Sequence, residues 1–408
     1  MKPTNLALFD DQIGCMGPLT DLRLTGNLRT GMLTTAQRLS RTLKSPIRAL
    51  RVPASLEGIA REQYPDCSIN QLPASDDAWL LVNAAAAAPV LHLAIAALEP
   101  GQGIVDANDH LIAASVSASQ AMAWFNQPAH QVPAGVKVEQ CNAARLIRRP
   151  WDIHAQLDAT LRDDLHHCDI PAYSRPDPGV TVLGGEPVKA APSARIHPMV
   201  VINAEKGPVV IDDHAVIGSF AVIAGPCYIG KETMIAPHSH VRALCSIGPG
   251  CVIGGEVSAI IVQGHSNKAH SGYLGNSIVG EWVNLGADTN ASNLKNTYGS
   301  VRMKLTADGP AEDSGLTKLG PVIGDFVRTA IGTRLLTGSC IGTGAMLAVS
   351  GFAPKYVERF AFMTDERCEL HAFDKFVHTA NQMMERRQLH ITQALEVRIR
   401  ELMQEVSM

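Results

Sequence analysis

A period of six runs through the middle of this chain and restricts its fold more than any other feature. Counting every sixth residue from Ile211 gives Ile211, Ile217, Ile223, Ile229, Ile235, Val241, Ile247 and Ile253. All eight are β-branched aliphatics, although Ile, Leu and Val together form only about a quarter of an average chain. The residue after each is often small: Gly218, Ala224, Gly230, Ala236, Gly248 and Gly254. Six is neither the 3.6 of a helix nor the two of a strand. It fits a prism whose coils each hold three short strands and three turns, stacked so that the aliphatics form one interior column. An ordinary β-sandwich would need hydrophobic alternation at period two instead. The pattern returns at Ile323, Thr329, Leu335, Ile341 and Leu347, and Ile196 and Ile202 extend it upstream of an interruption at "EKGP". The expected fold over residues 186–352 is a left-handed parallel β-helix, the hexapeptide-repeat solenoid.

Two breaks interrupt the period. Between Ile253 and Leu274 the phase is lost, and Leu274 to Val279 is five residues rather than six. The second break covers residues 290–318, "NASNLKNTYGSVRMKLTADGPAEDSGLTK". A solenoid accommodates insertions as loops, and such loops commonly carry binding. The first break opens "HSNKAHSGYLGNSIVGEWVNLGADT", residues 265–289, where two histidines, a lysine, a tyrosine and asparagines crowd around glycines. Function is expected there.

Ahead of the repeat, residues 1–185 mix short apolar strands ("LALF", "WLLVN", "GIVDANDHLIAA") with a helical stretch, "RTGMLTTAQRLSRTL", whose basic residues are expected on its outer face. A layered α/β domain follows. The run "AWLLVNAAAAAPVLHLAIAALEP" is broken by Asn83, Pro89 and His92, so a buried strand, a turn and an Ala-rich helix fit it better than a membrane span. Arg148 and Arg149 look exposed just before a helix opened by Pro150, and "RPDPGVTVLGGEPVKAAPSA" reads as the link into the repeat. Residues 353–408 place Phe373, Phe376, Val377 and Ala380 at helical spacing, which predicts amphipathic helices, with Arg386 and Arg387 read as a solvated face and contact with an anionic ligand as the alternative.

Formal charge is -4 with 18% charged residues, which argues against a nucleic-acid binder working through bulk charge. The N-terminal "MKPTNLALFDDQ" offers only four apolar residues before two aspartates, too few for a signal peptide. Nine scattered cysteines without a CxxC pair read as reduced thiols in a cytoplasmic protein, with Cys227, Cys245 and Cys251 packing inside the repeat.

The segment "NKAHSGYLGNSIVGEWVNLGADTNASNL" resembles the acetyltransferase site of the bifunctional N-acetylglucosamine-1-phosphate uridyltransferase/glucosamine-1-phosphate acetyltransferase family. The His-x-x-Tyr-Leu-Gly, the Val-Asn-Leu-Gly-Ala and the Asn-rich segment carry that resemblance. "LALFDD", "PLTDLRLTGNLRTGMLT" and "RRPWDI" look like the nucleotidyltransferase-like front of a divergent branch of the same two-part layout. The resemblance implies that His270 is the general base, that Tyr273 and Asn284 position the amino sugar, and that the Ala287 N–H meets the thioester oxygen. Lys295 and Lys268 would contact the sugar phosphate. It also implies acetyl-CoA as co-substrate, a nucleoside triphosphate with Mg²⁺ at the front domain, a UDP-N-acetylglucosamine-type product and a homotrimer. The front departs from the family's Gly-x-Gly-Thr-Arg loop, offering "DDQIGCMGPLTDLRLTGNLR" instead; Arg23 and Arg29 are then the candidate phosphate contacts and Asp10 the candidate Mg²⁺ ligand.

The chemistry is coherent on its own terms. An amine must lose a proton to attack a thioester, and an imidazole titrating near neutrality can take it. Two rival readings remain open. One is a zinc protein like the gamma-type carbonic anhydrases, using His265 and His270, with His238 and His240 further up the column. The other is a non-catalytic trimeric scaffold carrying a degenerate nucleotidyltransferase domain.

Overall fold

The computed structural model of the protein describes residues 5–73, 76–142, 145–174 and 176–407. The first four residues of the N-terminal segment and Arg175, at the head of the proposed link, lie outside them. Two compact units divide the chain: one holds the chain up to Met16, Leu22–Leu28 and Leu33–Thr160, the other Gly17–Asp21, Arg29–Met32 and everything from Leu161.

The first unit is built on a seven-stranded sheet of β1 (Asn5–Phe9), β2 (Ile47–Arg51), β3 (Ser68–Ile69), β4 (Trp79–Asn83), β5 (Gln102–Val105), β6 (Leu111–Val116) and β7 (Lys137–Gln140). Their order is β3-β2-β1-β4-β6-β5-β7. Central β1 pairs in parallel with both β2 and β4, while β6 runs antiparallel to β4 and β5. Strand order therefore reverses at β1, and the crevice beyond its C-terminal end is the usual ligand position in such sheets. Helix α1 (Thr35–Leu43) starts where Thr34 and Gln37 cap each other reciprocally, Gln37 N–H donating to the Thr34 hydroxyl and Thr34 N–H to the Gln37 amide. Its Arg38 corrects the expectation of an all-basic outer face. That side chain is fully buried and donates to the carbonyls of Leu33 (3.1 Å) and Ala87 (3.3 Å). Helix α2 (Glu57–Gln63) lies between β2 and β3, the "WLLVNAAAAAPVLHLAIA" run forms β4, a turn and α3 (Pro89–Ala96), and no helix among the described residues is long and apolar enough to cross a membrane.

The second unit is a parallel β-helix with three faces. One face stacks nine strands from Val188–Ala190 to Tyr356–Val357; the other two begin at Thr181–Leu183 and Arg195–Ile196. Every member of the aliphatic column from Ile211 to Ile253 is at most 1% exposed, and Cys227, Cys245 and Cys251 pack among them with thiols pushed up by burial. The small residue after each aliphatic has a specific cause. A Cβ on Gly248 would lie 2.1 Å from the Gln263 carbonyl oxygen, and one on Gly254 2.2 Å from that of Ala269. The next coil's backbone passes through that space. Left-handed φ falls instead on non-glycine corner residues, including His265 (51°), Trp282 (60°) and Phe326 (60°). These three rings stack on successive coils, His265 to Trp282 at 4.6 Å and Trp282 to Phe326 at 6.3 Å, so packing offsets the backbone strain.

The first break in the period proves to be shortening, not insertion. The column continues through Val257, Val262, Lys268, Leu274, Val279, Leu285 and Ala291, all at most 4% exposed. The steps from Ile253 to Val257, Val257 to Val262 and Leu274 to Val279 are four, five and five residues, while the others remain six. Only the second break inserts chain: Val279 pairs with Ile323, a step of 44 residues where a coil takes 18, and the excess holds an antiparallel hairpin of Arg302–Lys304 with Ala311–Asp313. Stacking also continues beyond Phe352, where Tyr356–Val357 and Ala361–Thr364 pair in parallel with the preceding coil.

Helices α4 (Ala118–Phe125) and α5 (Pro150–His166) precede the solenoid, and α6 (Phe373–Glu385) and α7 (Gln393–Ser407) follow it. Phe376, Ala380 and Met384 form the buried stripe of α6. Two early segments belong to the solenoid unit. Asp21 accepts from Arg359 Nε (2.9 Å) and Nη2 (2.7 Å) and from the Thr343 hydroxyl (2.7 Å). Arg29 N–H donates to Gln263 Oε1 (2.7 Å), and the Ser246 hydroxyl donates to the Gly31 carbonyl (2.5 Å).

Candidate functional site

His270 stands at the corner between the strand Asn267–Lys268 and the strand Tyr273–Gly275. It is exposed, and no described residue partners its imidazole. The next coil lies 17 residues on, as the Asn267–Asn284 bridge and the Ser271 hydroxyl donating to Asp288 (2.8 Å) both show. The same step of 17 sets Ala287 against His270, one strand spacing away at about 4.8 Å. The Ala287 carbonyl accepts from Gly332 N–H (2.7 Å), while its own N–H meets no acceptor among the described residues. An exposed imidazole and a free N–H thus share one corner.

Tyr273 begins the face beyond that corner, and Asn284 lies on the face before it. The Tyr273 hydroxyl accepts from Asn293 (3.1 Å), and its N–H donates to Asn290 (2.8 Å). Burial pushes its phenol pKa up, opposed by the charge of Arg242. Arg242 is an exposed cation paired with Glu256 (3.0 Å), which lies in register with Tyr273, and the sequence reading did not single it out. Lys295 lies in the inserted chain, where its ammonium donates to the Ser300 carbonyl (2.9 Å). Within one chain, then, Tyr273 and Asn284 flank the His270 corner on different faces.

Lys268 does not extend toward a phosphate. It fills the column position next to Ile253 and is 4% exposed. Its ammonium donates to the carbonyls of Gly254 (2.8 Å) and His270 (2.8 Å), with Ser271 at 3.5 Å, and so holds the corner that carries His270. Burial pushes its pKa down from 10.5 to about 8, partly opposed by Asp288. Below pH 8 both folded and unfolded chains hold this proton; between about 8 and 10.5 only the unfolded chain does. Stability should therefore rise with pH across that window. Urea midpoints at pH 7.5 and 10 would show the rise in the parent and its loss in Lys268→Met.

His265 and His270 occupy different corners, at the two ends of the strand Asn267–Lys268, and the His265 ring stacks on Trp282. One metal cannot easily take both from a single chain. Among the described residues, no three His, Cys, Asp or Glu side chains gather as a metal site.

In the first unit, polar groups collect at the C-terminal ends of β1, β4 and β5. Asp10 accepts from the Thr25 hydroxyl (2.5 Å) and the Gln12 N–H (2.8 Å), and burial pushes its pKa up. Asp11 accepts from the Asn83 amide (2.6 Å) and pairs with Arg148, which also lies 3.6 Å from Asp106. Arg148 is thus largely covered, contrary to its expected exposure. Asp10 borders a mostly apolar cavity with Leu24, Asn27, Val52 and Tyr64. With Asp11 paired to Arg148, the described residues do not fit a resident Mg²⁺. Neither of the two candidate phosphate-binding arginines is exposed. Arg23 is buried, and the Arg29 guanidinium donates to the Met32 carbonyl and lies over the Tyr228 ring at 5.7 Å. Asp106 and Arg148 were missed because their signal is only positional: each follows or precedes an element whose place in the sheet the sequence does not state. Arg148→Ala should leave the Asp11 carboxylate buried and uncompensated, at a cost of about 3–5 kcal/mol, readable as a lower melting temperature.

Comparison with known proteins fits this two-unit layout. Residues 6–169 match the sugar nucleotidyl transferase family, and residues 208–243 match the bacterial transferase hexapeptide of six repeats. A bifunctional sugar-1-phosphate nucleotidylyltransferase/acetyltransferase of Sulfurisphaera tokodaii is 37% identical over 145 residues, 35% of each chain. A bifunctional protein GlmU of Methanocaldococcus jannaschii is 28% identical over 165 residues, 40% of each. The matches span about a third of the length of these curated relatives. Among solved structures, a UDP-N-acetylglucosamine O-acyltransferase of Moraxella catarrhalis aligns over 55% of this chain and 96% of its own at 13% identity, with a TM-score of 0.20. The chain thus joins a front that matches the sugar nucleotidyl transferase family to a stretch that matches bacterial transferase hexapeptide repeats.

Proposed function

We propose that the protein is an amino-sugar-1-phosphate N-acetyltransferase with acetyl-CoA as donor, joined to a sugar-1-phosphate nucleotidyltransferase. The observation that carries this reading is the corner shared by exposed His270 and the free N–H of Ala287. In the proposed reaction the sugar amine attacks the thioester carbonyl while His270 accepts the amine proton. The oxyanion that forms accepts a hydrogen bond from Ala287 N–H, a kind of interaction often worth about 10²–10³ in rate. Collapse breaks the C–S bond, and the proton on His270 passes to the departing thiolate. Tyr273 and Asn284 orient the amino sugar, and Arg242 and Lys295 are the cations proposed to meet its phosphate. Both activities use cytoplasmic metabolites, which is where we place the protein.

Release of free thiol from acetyl-CoA, measured against a panel of amino-sugar phosphates, tests the acetyl transfer. No release with any acceptor would sink it. The front activity is tested by each nucleoside triphosphate with a sugar 1-phosphate and Mg²⁺; absence of pyrophosphate release in every case would leave that unit without the proposed role. Because Tyr273 and Asn284 lie on different faces, we further propose a homotrimer whose sites are completed at subunit boundaries. Light scattering should report three chains at micromolar concentration, and a stable monomer would contradict this arrangement.

A further inference from the structure

Asn267, Asn284 and Arg328 stand in register on three successive coils, so their side chains form a row along one face of the solenoid. The last turn of α6 closes one side of this row with Met383, Arg386 and Arg387, leaving an open cleft of roughly 590 Å³. The stacked rings of His265 and Trp282 wall its other side. The cleft is strongly cationic, and no carboxylate lines it.

Its three guanidinium groups are not equally occupied. Arg387 donates to Asn267 Oδ1 (3.2 Å) and to the Gly250 carbonyl (3.3 Å), which fixes the end of α6 on the solenoid. Arg386 is exposed and meets no acceptor among the described residues. Arg328 is the unusual member: its Nε is sealed from solvent and donates to nothing. Sealing an arginine N–H without an acceptor is costly, and native chains rarely leave one so. Burial lowers the pKa of Arg328, and its charge helps to lower that of nearby His371.

We infer that this cleft binds the diphosphate group of a ligand, with the Arg328 guanidinium on its solenoid wall and Arg386 and Arg387 at the rim. A planar fork of donors matches phosphate oxygens two at a time, and three cations suit the multiple charges of a diphosphate better than one carboxylate. The inference does not require His270 to be a base. Coenzyme A and a nucleoside diphosphate both carry the group, and the experiment separates them.

Calorimetry on the full chain, in low salt with EDTA, would use inorganic pyrophosphate as the probe. Arg328→Met and the Arg386→Gln/Arg387→Gln double variant should each weaken its binding by about 10–100-fold, since charge-assisted contacts are lost. Arg195→Gln, an exposed arginine several coils away on the same face, should not change it. The Arg386 and Arg387 pair sits at a helix end, so a folded sample is secure even if Arg328→Met proves unstable. Repeating the series with coenzyme A and with UDP assigns the source: the natural ligand is the one whose affinity falls in both variants. Unchanged pyrophosphate affinity in the double variant, or no binding by the parent at millimolar concentration, overturns the inference. His270→Ala should bind pyrophosphate as the parent does. A parent that binds pyrophosphate here yet transfers no acetyl group would refute the proposed reaction and leave this site standing.

Discussion

Replacing His270 by alanine should reduce acetyl transfer by about 10²–10⁴-fold, the usual contribution of a positioned general base. The fold should not register the change. His270 is exposed and takes no part in the column, whose nearest member, Lys268, bonds to its backbone carbonyl. Melting temperature should therefore stay within the small range typical of surface substitutions. The measurement is thiol release at saturating acetyl-CoA together with a thermal scan. A variant retaining more than a tenth of parent activity would place the base elsewhere. His265→Ala gives the contrast: it should act through lost stacking on Trp282, lowering stability more than catalysis. Equal loss of activity from both substitutions, with stoichiometric zinc in the parent, would favour the zinc reading.

The largest stability effect is expected in the middle of the column. Ile247 lies between Ile229 on the preceding coil and Val262 on the next, all at most 2% exposed. The coils above and below are tied to it by backbone hydrogen bonds, Gly230 N–H to the Ile247 carbonyl (2.8 Å) and Gly248 N–H to that of Val262 (2.9 Å). The neighbours therefore cannot collapse into the space that Ile247→Ala would vacate. A loss near the upper part of the usual 2–5 kcal/mol is expected, read as a lower urea midpoint. A change under about 1 kcal/mol would mean that the column relaxes more freely than the ladder suggests.

The solenoid was legible because its signal is chemical repetition: each coil asks for the same aliphatic at the same step. Legibility ended where two things happened together, turns shortened at Val257 and Val262 and an ammonium took the slot at Lys268. A search for aliphatics then sees disorder where the backbone is regular. Candidate residues close in sequence, such as His270 and Tyr273, could be read from their pattern, whereas contacts across long separations could not. Arg38 looked like a surface charge because the carbonyl of Ala87 that satisfies it comes from a distant turn. Likewise Arg387, expected on a solvated face, finds Gly250 and Asn267 only once the last helix has returned to the coil.

The ammonium inside the column has a consequence for how the coils find one another. A prism of near-identical aliphatic coils is open to slippage, since one coil displaced along the axis would still bury its isoleucines. Lys268 opposes that freedom, because its ammonium donates to the carbonyls of His270 and Ser271 in its own coil and to that of Gly254 at the shortened corner of the preceding coil. In any displaced pairing the ammonium would lose the Gly254 carbonyl, the one partner that another coil supplies, and a buried polar group short of a partner is costly. A buried polar group at one position of an otherwise apolar seam is a known means of fixing alignment between repeating elements. Here it would index the stack from within, aligning the coil that carries His270 with the preceding coil, which carries Ile253 and Gly254.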